Sequence, residues 1–467
     1  MHIDIYIKER LMAGIGFELR KILKRNTLLS IVEAYGLAGL ISSGPWVLSI
    51  LALLVIGIVS LGTFESYVIT QFLILVTYLM AGSLIISGLF QLLLTRFISD
   101  LIYAKQEQRI VPNLLGAMFV TTVLSAVLAG GILAIAVEIN PLTKVIILAA
   151  FVILCNQWLV LIFLSGLKEY YRIFFTIAGC YGLMVVLCIL VPPFGLTGFM
   201  AIFTFCQALL TFIFLYHVIR QFPAKRLILF EFIDHENVFF SLLFCGFFYN
   251  LGVWLDKFVF WSRDETSHQV FSFLRASYIY DLPIFIAYLA IVPGMAVFIM
   301  RMETDFSQAC LKFYNTVREG GTLNEIYQLK DNMVLTCRHC MYEIFKVQGM
   351  TLVLLLLWSE DILQALDIDL AYLHLLYVDL IGVSLQVLVM AILNIMYYLD
   401  KRYAALALTL FMAGSNFVLA YISIEIGPLF YGYGFTLTML LTTLIGFIML
   451  DKQFADLEYQ TFMLQRS

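Results

Sequence analysis

The 467-residue chain is 62% hydrophobic and 13% charged, with a mean hydropathy of +0.96 and a formal net charge of -4. A soluble protein of this length needs a charged surface that so few charges do not supply. Its apolar runs recur at or above the ~18 residues that cross a bilayer, so the composition excludes a soluble class and points to an all-α polytopic membrane protein.

Twelve spans are expected, at 28–60, 67–95, 114–137, 144–166, 173–191, 195–219, 237–261, 282–300, 342–359, 372–398, 403–424 and 430–450. An even number puts both ends on one side. Among the bases, Lys144, Arg263 and Arg275 fall in odd-numbered loops, and Lys257 lies inside a span. The others fall in the ends, in the even-numbered loops or at their edge, which makes the ends cytoplasmic by the positive-inside rule. The outer loops are acidic, with Glu65, Glu138, Asp264, Glu265, Asp281, Glu360, Asp361, Asp367, Asp369 and Glu425.

The expected organisation starts with a basic cytoplasmic N-terminus over 1–27, where Arg20, Lys21, Lys24 and Arg25 form a topology anchor that could also bind anionic lipid heads. An N-lobe of six spans follows over 28–219, then a cytoplasmic linker over 220–236. A C-lobe of six spans covers 237–450, and a cytoplasmic tail covers 451–467. The division into lobes rests on span count. No cleavable signal peptide is evident, because the first apolar run is too long and lacks the small-residue cleavage pattern.

The first span opens with "SSGPW". Pro45 lacks an amide, so its helix must find another partner for the freed carbonyl, and Ser42 and Ser43 stand nearby. Gly39 and Ser43 make a small-xxx-small pair that lets another helix approach. Gly44 and Pro45 are hinge candidates, and a static kink is the alternative. Pro293 and Gly294 repeat the pattern in the eighth span. In the second span, Ser83, Ser87 and Gln91 make a polar stripe.

Charges inside spans are a sharper signal, since each costs at least ~2.5–3.5 kcal/mol at the bilayer centre. Asp379 lies about seven residues in from the outer end of the tenth span, roughly 10 Å deep at ~1.5 Å per residue. Its face continues through Gly382 and Gln386. Asp256 and Lys257 lie near the outer end of the seventh span, where Asn250, Trp254, Lys257 and Trp261 share a face. Aromatic rings beside hydrogen-bonding groups suit sugars, whereas belt and packing tryptophans are the plainer account. Asp379, Gln386, Asn250, Trp254, Lys257 and Asp256 are therefore substrate-path candidates. Asp379 would serve as an acceptor for sugar hydroxyls or as a proton site.

The longest cytoplasmic loop, about 301–341, should form two amphipathic helices. Phe306, Cys310, Phe313 and Val317 share one face. "EGG" at Glu319–Gly321 ends that helix, and Thr322 with Glu325 forms a capping box for the next. Ile326, Leu329, Met333 and Cys337 then make an apolar stripe, which would lie on the membrane or dock a partner through Ile326, Leu329 and Met333.

No Walker A, HExxH or GxSxG pattern is present. "CRHC" at Cys337–Cys340 is half a zinc site without a second pair. All eight Cys fall in spans or the cytoplasmic loop, so no disulfide framework is indicated. No cofactor, no metal and no nucleic-acid partner is expected.

"MAGIGFELRK" from Met12, "ISSGPWVLSIL" from Ile41, "YNLGVWLDKFVFW" from Tyr249, "YDLPIFIAYLAIVPGMAVFIMRMETDF" from Tyr280 and "REGGTLNEI" from Arg318 closely resemble the PelG family. Residues 1–11 fall outside the resemblance and read as an alternative or mis-assigned start. The resemblance implies a twelve-span exporter of the multidrug/oligosaccharidyl-lipid/polysaccharide (MOP) flippase kind. It further implies export of the N-acetylgalactosamine-rich Pel polysaccharide in biofilm matrix synthesis. The partners implied are the cytoplasmic glycosyltransferase PelF and the membrane subunits PelD and PelE. No site residues carry over. The rival readings are a cation-coupled small-molecule or lipid-linked oligosaccharide flippase of the same superfamily, a membrane glycosyltransferase, and a non-transporting scaffold of the synthase. The longest outer loop, Ser262 to Asp281, is short for a catalytic domain.

Overall fold

The computed structural model describes residues 22, 24–25, 27–60, 66–135, 139–165, 170–190, 195–234 and 239–459. Its helices are α1 (Leu28–Ser60), α2 (Ser66–Tyr103), α3 (Ile110–Ile135), α4 (Pro141–Ser165), α5 (Tyr170–Leu190), α6 (Gly195–Gln221) and α7 (Phe240–Ser262), then α8 (Tyr278–Leu289), α9 (Ile291–Arg301), α10 (Ser307–Arg318), α11 (Leu323–Ala365), α12 (Leu373–Tyr398), α13 (Arg402–Ile426) and α14 (Tyr433–Ala455). Strands β1 (His268–Phe271) and β2 (Leu274–Ala276) form an antiparallel hairpin between α7 and α8.

Among the described residues, ten helices are long and apolar enough to cross a membrane, and the bent pair beginning with α8 makes an eleventh. The 33-residue α1 is also of spanning length. Each expected span coincides with a helix of this set. In lipid every backbone group must be satisfied within the segment, which is why apolar runs of this length settle as helices.

The chain forms two compact units. One holds Gly44–Trp254 and Trp261–Ser277. The other holds the described parts of Ile15–Ser43 and Tyr278–Ser467, with Leu255–Phe260. Helices α1 and α7 therefore contribute to both.

The core of the first unit is built from α2 to α6, with Phe72, Phe199 and Phe203 fully buried. Helices α2 and α7 cross backbone to backbone at Gly88 and Gly246: a Cβ on either would overlap the other's main chain or the Asn250 amide. The hairpin docks on α2. Tyr67 donates to the Val270 carbonyl at 3.1 Å, Tyr78 donates to the Arg275 carbonyl at 2.8 Å, and Leu274 joins the core. The stretch after α6 is not a free linker. Leu229 donates to the Pro112 carbonyl, and Glu231 exchanges two hydrogen bonds with Asn113 at 2.9 and 3.1 Å.

In the second unit the eighth span is broken, with a 41° bend between Tyr278–Leu289 and Ile291–Arg318. Pro293 has no N–H for the carbonyl four residues back, at Leu289, and α8 ends there. A short π-helical turn, Met302–Phe306, then links α9 to α10. The expected loop from 301 is thus helical from its start. The expected second amphipathic helix is also not separate: α11 is one rod of 43 residues that includes the ninth span. No proline interrupts it. Its capping box is formed, with Thr322 N–H on Glu325 Oε2 at 2.9 Å and Glu325 N–H on Thr322 Oγ1 at 3.4 Å.

Ile326 and Met333 are buried, with Met333 against Cys310 at 3.4 Å, and Leu329 is half-buried. The stripe expected to meet a partner or the membrane therefore packs within the chain, because α10 and the turn before it fold back and present Phe306, Cys310 and Phe313 to bury.

Candidate functional site

The second unit buries an acid–base cluster. Asp256 and Lys257 are 0% and 1% exposed, and Asp379 is 0% exposed. A buried charge is tolerated when it is paired and hydrogen-bonded, and Asp256 meets that condition. It accepts from Lys257 Nζ at 3.2 and 3.0 Å, from Tyr280 Oη at 2.7 Å and from Asn416 Nδ2 at 3.2 Å. Lys257 also donates to Tyr288 Oη at 3.3 Å and lies over the Tyr288 and Phe435 rings, 5.1 and 5.4 Å from their centroids. An ammonium between carboxylate, phenol and two ring faces occupies a cation cage.

Asp379 is buried in the same unit, on α12. Neither of its carboxylate oxygens accepts a hydrogen bond among the described residues. The same is true of Gln386 Oε1 two turns further along α12, and of Thr438 Oγ1 and Thr442 Oγ1 on α14. Helices α12 and α14 are held in register by Thr436, whose hydroxyl donates to the Val378 carbonyl at 2.7 Å. They touch at Gly382, where a Cβ would meet the Phe435 ring and Thr436.

The structure thus pairs Asp256 with Lys257 and places Asp379 and Gln386 in the same unit, both on α12. Asn250 and Trp254 belong to the other unit. There Asn250 Nδ2 donates to the Gly246 carbonyl at 3.0 Å, and Trp254 lies 6.5 Å from Trp261, which lies 4.4 Å from Tyr78. Asp379, Gln386 and Trp254 are buried in this conformation.

Of the hinge candidates, Pro293 and Gly294 lie at the break between α8 and α9. One helix runs through Gly44 and Pro45, and their side chains lie outside the described residues, as do Arg20, Lys21 and residues 1–11. Tyr280, Tyr288 and Asn416 escape the sequence reading. They carry no charge, and the spacing of Tyr280 and Tyr288, two turns apart, becomes informative once Lys257 is known to face them.

The helix arrangement is similar to that of solved MOP-superfamily transporters. It is similar to a multidrug resistance MATE family transporter of that superfamily solved in an outward-facing conformation: TM-score 0.66, 12% identity, covering 90% of this chain and 96% of that one. It is also similar to a MOP superfamily transporter from Pyrococcus furiosus, TM-score 0.65, 12% identity, covering 96% and 98%. A MATE protein in complex with MaL6 gives TM-score 0.65 at 12% identity, covering 97% and 99%. These likenesses define a fold. No curated protein matches the chain. The PelG family, described as putative exopolysaccharide exporters, matches residues 12–462, and the chain belongs to that family. Family and fold are those of a transporter, not an enzyme, and the chain is a multi-pass membrane protein.

Proposed function

We propose that this chain exports the Pel polysaccharide, rich in N-acetylgalactosamine, from the cytoplasm across the inner membrane of a bacterial cell. Both termini are cytoplasmic in this reading, and the spans are counted as two lobes of six helices. The observation that carries it is the family match over 12–462 on a transporter fold. The polymer is made by PelF and handed over in an assembly with PelD and PelE. Asp379 and Gln386 offer acceptors that have no partner among the described residues, and Asn250 and Trp254 offer an amide and an aromatic face. Such groups replace water around a neutral sugar chain once the helices part. Bending at Gly44–Pro45 and Pro293–Gly294 accompanies that opening.

A strain lacking the gene and complemented with the intact chain tests the proposal, together with proteoliposomes loaded with N-acetylgalactosamine oligosaccharides. Complemented secretion and saturable sugar movement support it; normal secretion without the chain refutes it. The buried carboxylates favour a second reading, a cation-coupled flippase for small or lipid-linked solutes. That reading gains if the liposomes move such solutes and leave the free glycan behind.

A further inference from the structure

The stretch between α6 and α7 carries an apolar strip that the chain leaves uncovered. Leu227, Ile228, Phe230 and Ile233 are exposed, Leu227 by 76%. So many large apolar side chains in so short a stretch mark a surface that meets something other than water. Lys225 and Arg226 precede them, exposed and paired with no acid among the described residues.

The strip is held in place. Leu229 N–H donates to the Pro112 carbonyl at 3.0 Å, Glu231 exchanges two hydrogen bonds with Asn113, and Arg109 pairs with Glu231 at 3.5 Å. A Cβ at Gly116 would overlap the Leu229 carbonyl, so the strip lies directly on α3. Phe232 is fully buried in the core of the first unit. Phe230 is exposed and meets Phe119 of α3, with ring centroids 6.3 Å apart. Phe119 is itself exposed and begins a stripe with Val123 and Val127, at i, i+4 and i+8. Such an apolar face on a spanning helix is turned to lipid.

We propose that residues 225–233 form a strap seated on the bilayer surface: Leu227, Ile228, Phe230 and Ile233 enter the acyl edge of the leaflet where α3 begins, and Lys225 and Arg226 bind the headgroup of an anionic phospholipid. The proposal goes beyond export and holds whichever solute is moved.

Three features select lipid as the occupant. The strip is continuous, through Phe230 and Phe119, with the lipid-facing stripe of α3. The depth agrees. Helix α3 has 26 residues, about 39 Å at ~1.5 Å per residue against a hydrocarbon core of ~30 Å, so its first turns reach the headgroup layer. The strap crosses those turns, at Pro112, Asn113 and Gly116. A non-helical backbone does not enter hydrocarbon, so the main chain stays among the headgroups while the side chains reach the acyl edge. The charge agrees as well. Bases beside an apolar strip draw a segment to anionic lipid, and the strap's own acid, Glu231, is already paired with Arg109.

All eight cysteines are buried, so a nitroxide thiol label on Leu227→Cys reports that position. Electron paramagnetic resonance of the full chain in phosphatidylcholine vesicles, with and without phosphatidylglycerol, compares collisions with oxygen, which concentrates among acyl chains, and with a water-soluble nickel chelate. With phosphatidylglycerol present the label should meet oxygen more than nickel, as a label on Val127→Cys does. A label that meets nickel more readily overturns the insertion, and is the result that a strap for a soluble protein partner gives. In phosphatidylcholine alone the oxygen-to-nickel ratio should fall. Lys225→Gln with Arg226→Gln, or raised salt, should abolish the difference between the two vesicles. An equal ratio in both vesicles overturns the headgroup site. So does a rise produced by inorganic phosphate in phosphatidylcholine alone, since the bases would then serve a free anion. If the double variant does not accumulate, the salt series decides: a lipid difference that survives raised salt overturns the role of the bases. None of these readings depends on sugar movement, so the strap can fail while export stands.

Discussion

The side chain of Gln348 donates at 3.2 Å to the carbonyl of Ala290, the single residue between α8 and α9. The same amide donates to Ser384 at 3.0 Å, so α11 ties the broken span to α12. Gly294 makes room for it, since a Cβ there would overlap Gln348 Oε1. Gly294→Ala should expel the amide from the break and destabilise the chain by about 1–3 kcal/mol. Gln348→Leu should weaken the chain less than Gly294→Ala, because it removes the donor without crowding the break. Thermal unfolding in detergent ranks the two.

The Asp256–Lys257 pair gives a double-mutant test. Asp256→Ala leaves a buried ammonium short of its counter-ion and should cost about 3–5 kcal/mol. Asp256→Asn with Lys257→Met removes both charges, so the pair should be closer to the parent than Asp256→Ala is. Unfolding midpoints of the three variants measure this; equal losses would mean that the pair is not coupled.

The crossing of α2 and α7 sets a steric limit. With the Gly88 and Gly246 main chains in contact, Gly246→Val must push the helices apart and should lower both yield and thermal stability. Gly130→Val, at a position with no neighbour within 4 Å of a Cβ, is the control and should be tolerated.

The cap on α11 is a smaller effect. Thr322→Ala removes one of the two capping bonds and should cost about 1 kcal/mol, while Thr322→Ser should keep most of it. Amide exchange at residues 323–326 reads this directly.

Much of the fold is legible because lipid makes the rule simple: a long apolar run becomes a helix, and the ends of α1, α6 and α13 fall close to where the runs stop. The capping box is legible because both its bonds are local. The continuity of α11 is less so. Between Cys337 and Tyr342 nothing breaks a helix, but the change from amphipathic to apolar there reads as a boundary. The hairpin is missed because its strands are short and its stability comes from Tyr67 and Tyr78, some two hundred residues away. In the site, Asp379 stands out as a charge in an apolar run. Asn416 and Tyr280 do not, since their meaning is their distance to Asp256.

Helix α11 has a mechanical consequence. At ~1.5 Å per residue its 43 residues make a rod of about 64 Å, roughly twice the ~30 Å of a hydrocarbon core. Its first turns are bound to the C-terminal end through Lys330 and Glu458, and further along it grips Ala290 and Ser384 through Gln348. A rod held at both places is a lever arm. A sideways displacement of its first turns would be carried along the helix toward the bend in the eighth span, where Gln348 holds Ala290.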